Sequence, residues 1–123
     1  MNQLSVALLQ SDAKNIRLLA SSLCHHFPAI YTAWSIADLR EKIVKHRAQL
    51  VIVDMEMASL SDVHLLHRDF TNVSIVCTHR LADDEMWTAA LNAGASDVCP
   101  SFDTRGIVTA AIQSTALTDS AAA

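Results

Sequence analysis

The chain has 123 residues, 51% of them hydrophobic but only 5% aromatic, and a formal net charge of -4. That length supports one domain with its own core and leaves no room for a second. The acidic balance and the lack of a Lys/Arg cluster exclude the electrostatic footprint of direct nucleic-acid binding, and no apolar run reaches membrane-spanning length.

Short apolar runs alternate with stretches of helical periodicity, the pattern of repeated βα units on a parallel sheet. Ser5 to Leu9 is the first predicted strand. Asp12 caps the next helix, where Ile16, Leu19, Leu23 and Phe27 recur at helical spacing and Pro28 marks the stop. Ala29 to Ala33 forms strand two, and Ser35 caps a helix that buries Ile36, Leu39, Ile43 and Val44 and ends near His46-Arg47. Leu50 to Val53 is strand three, apolar throughout and suited to burial on both faces.

Asp54 follows at the carboxyl end of that strand, where open α/β sheets gather their ligands; the competing reading is a turn or a helix cap. Ser61 or Asp62 opens a brief helix through Val63, Leu65 and Leu66, and Val73 to Thr78 is strand four. Asp83, Asp84 and Glu85 favour the start of the fourth helix, and Gly94 supplies its left-handed end. Ala95 to Cys99 is strand five, and Asp103 or Thr104 begins the last helix, carrying Ile107, Val108, Ala111 and Ile112. Right-handed crossovers in this order give a flavodoxin-like (βα)5 α/β fold with parallel strand order 2-1-3-4-5 and helices on both faces. The domain is expected over residues 1–117, with 118–123 a flexible tail or the start of a linker.

Cys24, Cys77 and Cys99 have no metal-ligand or CxxC spacing, which reads as reduced, mostly buried thiols in a cytoplasmic protein; Cys77 and Cys99 are placed to face each other on adjacent strands. His64 and His67 lie three apart but lack a third ligand nearby, and His25 and His26 suit interaction with the carbonyls of a helix end. Trp34 reads as packing. Trp87 is a candidate anchor on an exposed helix face, or a cover for the sheet edge.

Three segments, Leu50-Val51-Ile52-Val53-Asp54-Met55-Glu56-Met57, Ile75-Val76-Cys77-Thr78 and Ala90-Leu91-Asn92-Ala93-Gly94-Ala95-Ser96-Asp97, come in an order and spacing that resembles the CheY-like receiver domain of bacterial response regulators. The resemblance covers nearly the whole chain and implies a phosphorelay signalling module of two-component systems, not an enzyme. It makes Asp54 the candidate phosphoacceptor, partnered by a histidine kinase or another signalling protein. A second copy of the chain is a further candidate partner. It also assigns partner contact to the helix-four, strand-five, helix-five face, which carries Trp87 and, where receivers hold a switching aromatic, Val98.

The chain departs from the family pattern where charge matters. Receivers place an acidic pair after strand one to hold Mg²⁺; the matching positions are Gln10 and Ser11. Asp12, Asp54 and Glu56 remain as weak Mg²⁺ candidates, with no other cofactor expected. The family's Lys after strand five is replaced by Ser101, and the Pro after it by Phe102; the only lysines are Lys14, Lys42 and Lys45. Arg80 and Arg105 are the remaining sources of a nearby cation. Either Thr78 or His79 occupies the hydroxyl position that grips the phosphoryl group. These departures describe an atypical receiver with an impaired pocket, with a phosphorylation-independent pseudo-receiver as the alternative. A flavodoxin-like electron carrier is less consistent, because the loop after strand one contains no Gly to cradle phosphate.

Overall fold

The computed structural model describes the backbone of residues 4–81 and 83–122 and the side chains of 4–81 and 83–115. Its elements alternate as β1 (Ser5–Leu9), α1 (Ala13–Leu23), β2 (Ala29–Ala33), α2 (Ile36–His46), β3 (Leu50–Asp54), α3 (Leu60–Asp69), β4 (Ser74–His79), α4 (Asp84–Ala93), β5 (Asp97–Pro100) and α5 (Thr104–Ala122). The strands are parallel in the order β2-β1-β3-β4-β5, which is the expected flavodoxin-like topology.

The period of two along the strands divides the core. Leu9, Val51, Val53, Ile75 and Cys77 pack with Leu39, Ile43, Val63, Leu66 and Ala90 of α2, α3 and α4. Val6, Leu8, Leu50, Ile52 and Val76 pack with Leu19 and Leu23 of α1 and with Ile107 and Ala111 of α5. Strand β3 is buried along its whole length, because a central parallel strand has helices over both faces. Its last residue is a carboxylate.

The same alternation corrects two expectations. Cys77 and Cys99 lie on opposite faces of the sheet and do not face each other; burial pushes their thiols up to about 12 and about 11. Val98, a candidate partner contact, is 8% exposed and points into the core beside α4.

Asp12, Ser35 and Asp83 each accept a backbone N–H at the first turn of α1, α2 and α4, a contribution of about 1 kcal/mol per cap; the sequence predicts the first two as caps and Asp83 only as negative charge at the helix start. Helix α3 starts earlier than predicted. Ser59 and Asp62 form a capping box, with Asp62 N–H donating to Ser59 Oγ at 3.1 Å and Ser59 N–H to Asp62 Oδ2 at 2.9 Å. Strand β5 starts later than predicted, since Ala95 N–H still bonds back to Ala90 as part of the turn at Gly94. Gly94 has φ 118° and lies against the His67 ring with no room for a Cβ, so His67 packs α3 on α4.

Trp34 is 82% exposed, contrary to the packing role expected of it, because it lies past the end of the edge strand β2. The backbone of α5 continues to Ala122, past Thr118 where a tail is expected; residue 123 and the tail's side chains lie outside the described residues. Among the described residues no helix is long and apolar enough to cross a membrane.

Candidate functional site

The carboxyl ends of parallel strands all emerge at one edge, so the loops after β1, β3, β4 and β5 meet there. They enclose a cleft of about 480 Å³ lined by residues that include Ser11, Asn15, Asp54, Glu56, Arg80 and Ser101. Asp54 closes β3 at its floor and is 2% exposed.

Three donors hold the Asp54 carboxylate. Ser11 gives its backbone N–H to Oδ2 at 2.9 Å and its hydroxyl to the same oxygen at 2.5 Å, while Glu56 N–H reaches Oδ1 at 2.9 Å. Hydrogen bonds of this kind, with a charged acceptor, are short and strong. Ser11 Oγ also lies 3.3 Å from Glu56 Oε2. Arg80 donates from Nε to Glu56 Oε1 at 2.7 Å, and that hydrogen bond, with the charge of Glu56, raises the guanidinium above its ordinary range.

Beside this network, Thr78 pairs in register with Asp54 and is fully buried. Gln10 Nε2 donates to Thr78 Oγ1 at 3.2 Å, and the Thr78 hydroxyl faces Gln10 Oε1 at 3.4 Å. The register therefore places Thr78, not His79, level with the acid. His79 Nδ1 instead accepts the N–H of Leu81 at 2.9 Å, stabilising the loop. Ser101 lines the cleft at 6% exposure, where the resemblance calls for Lys, and its carbonyl accepts from Asn15 Nδ2 at 3.0 Å.

The residues do not fit Mg²⁺, which favours anionic oxygens in octahedral geometry. Among the described residues no three His, Cys, Asp or Glu side chains converge as a metal site. Asp12 is exposed and accepts from Lys14 N–H at 2.8 Å as the α1 cap. Glu56 is paired with Arg80, and both Asp54 oxygens carry protein donors. The expected set Asp12, Asp54 and Glu56 is therefore not assembled into a ligand cluster.

Asn15 is the site residue that periodicity missed. It is 6% exposed, and its place in the spacing Asn15, Leu19, Leu23 on the inward stripe of α1 was the available signal. A polar amide on an apolar stripe needs a buried partner. The segments that follow β4 and β5, here termed the rim, expose Leu81 at 74%, Trp87 of α4 at 47% and Phe102, which lines the cleft, at 65%. His64 is exposed on α3, and His25 and His26 are exposed past α1, where it is the backbone N–H of His26 that bonds the Leu23 carbonyl.

No protein-family model and no curated protein sequence matches the chain. Solved structures do. A signal receiver domain of a Luxo repressor protein from Vibrio parahaemolyticus aligns at 12% identity and a TM-score of 0.84 over 96% of this chain and 94% of its own. A signal receiver domain of an HD domain-containing protein from Pseudomonas fluorescens Pf-5 aligns at 14% identity and 0.84 over 97% and 99%. The isolated receiver domain of RcsB from Salmonella enterica serovar Typhimurium, determined with the phosphomimetic BeF3-, aligns at 16% identity and 0.73 over 91% and 89%. The chain has the receiver-domain fold over most of its length.

Proposed function

We propose that residues 1–117 form an atypical receiver module of a two-component phosphorelay that works by contacting another protein, with Asp54 as its phosphoacceptor in a pocket of reduced metal affinity. The observation that carries this reading is the position of Asp54: a nearly buried carboxylate ending the central strand, opening on a cleft, with Thr78 in register beside it. Attack by a carboxylate on phosphorus requires countercharge for the converging oxygens. Arg80 is the cation lining the cleft, and the network binds it to Glu56. Acceptance is therefore slow or relies on a dedicated donor protein. A cytoplasmic location agrees with the two buried, unpaired thiols. Incubation with Mg²⁺ and acetyl phosphate, followed by intact-mass measurement, is expected to give a phosphoryl adduct on wild type and none on Asp54→Ala. Absence of an Asp54-dependent adduct with any donor removes phosphotransfer from the proposal.

A specific observation supports a second reading, the phosphorylation-independent interaction module. The acid is already satisfied by protein donors, and the exposed rim of Leu81, Trp87 and Phe102 offers apolar anchors that need no charge change to act. This rim is the candidate contact for a histidine kinase, another signalling protein or a second copy of the chain. Unchanged partner binding by Asp54→Ala, alongside loss of binding by Trp87→Ala, decides for that version.

A further inference from the structure

We propose that Ser11 is a positioning residue that replaces a divalent cation at Asp54, so that the closed carboxylate is a protein-held state and the pocket is shut to Mg²⁺. The inference rests on reading the cleft as the functional site; it does not depend on phosphotransfer. A cation that neutralises a carboxylate takes the lone pairs of its oxygens. On Oδ2 those directions are taken by the N–H and the hydroxyl of one residue, at 2.9 and 2.5 Å. Both donors come from the residue directly after Gln10, where the chain leaves β1. Position 11 thus supplies two protons to the acid, where a carboxylate there would have supplied negative charge for a metal.

The surroundings reinforce this exchange. Gln10, the other residue of the step, turns its amide onto Thr78 and brings no charge to the floor. Glu56 contributes its backbone N–H to Asp54 Oδ1, and its side chain is paired with Arg80. To bind Mg²⁺, which gives up its water reluctantly and needs anionic ligands, the pocket has to break the Ser11 bonds at Oδ2, or use Oδ1 beside the Glu56 N–H with no carboxylate at position 10 or 11 to join it.

The test is Mn²⁺ binding to the whole chain, followed by the relaxation of water protons with no phosphodonor present. Wild type is expected to bind no Mn²⁺ through Asp54 at millimolar concentration. Ser11→Asp is expected to bind at least about tenfold tighter than wild type, because one added carboxylate both supplies a ligand and removes the hydroxyl donor. The double variant Ser11→Asp with Asp54→Asn is expected to lose that gain. Submillimolar, Asp54-dependent Mn²⁺ binding by wild type overturns the proposal whether or not Ser11→Asp folds. So does a Ser11→Asp protein with wild-type circular dichroism and no gain in Mn²⁺ affinity. Because metal binding is read without phosphotransfer, failure here leaves the phosphoacceptor reading standing, and failure of the adduct experiment leaves the Ser11 role standing.

Discussion

On the floor of the cleft, Gln10, Ser11, Asp54 and Thr78 satisfy one another through side-chain and backbone hydrogen bonds; Gln10, Asp54 and Thr78 are buried. On the rim after β4 and β5, Arg80, Leu81, Trp87 and Phe102 are exposed, and the ion pair from Arg80 to Glu56 ties the rim to the floor. Polar groups that are interlocked in a low-dielectric floor are costly to disturb, whereas exposed side chains are cheap to change and free to meet a partner. The difference separates groups whose loss should disturb the fold, in the floor, from those proposed for recognition, on the rim.

The strongest way to break that comparison is Asp54→Ala. Removing the acceptor strands the Ser11 and Glu56 donors, and urea denaturation is expected to show a loss of about 2 kcal/mol. An unchanged or higher midpoint means that water already serves those donors and the floor is not interlocked. Thr78→Val comes next: it leaves the buried Gln10 amide without its partner and is expected to cost about 1–2 kcal/mol by the same measurement.

Alkaline pH examines the strand beneath the floor. The Cys77 thiol is pushed up to about 12 by burial, while an unfolded thiol ionises near 9. The unfolded state therefore holds fewer protons than the native one across that window, and stability falls as pH rises from about 9 towards 12. Cys77→Ala is expected to flatten this decline more than Cys99→Ala, because Cys99 is raised only to about 11. A pH scan of the thermal midpoint checks the order.

The smallest effect is expected on the rim. Arg80→Ala removes an exposed ion pair and should leave the urea midpoint within measurement error, while Trp87→Ala should weaken partner or self-association without altering stability. A large stability loss from Arg80→Ala makes the rim part of the folded scaffold and dissolves the distinction.

Several features are legible in the sequence alone. The run Leu50 to Val53 identified the central strand because only a strand covered on both faces is apolar throughout. Asp12 and Ser35 announce their helices because a short polar side chain before an apolar periodicity satisfies local N–H groups, and Asp83, Asp84 and Glu85 announce theirs by placing negative charge at its start. Ser59 was less visible, since Ser59, Ser61 and Asp62 are all chemically competent caps and only the closed capping box selects one. Trp34 and Val98 depart from their sequence expectation for the same reason: exposure depends on which strand is an edge and which face a helix covers, and neither is a property of the residue.

The sequence by itself determined the alternation of elements, the position of Asp54 at a strand end and the loss of acidic and lysine countercharge, because these are matters of local pattern and residue identity. Only the tertiary structure decided that Ser11 holds the acid, that Gln10 holds Thr78 and that Arg80 is bound to Glu56. Those pairs span 43, 68 and 24 positions along the chain, and contacts of that range exist only once strand order and register have brought the loops to one edge.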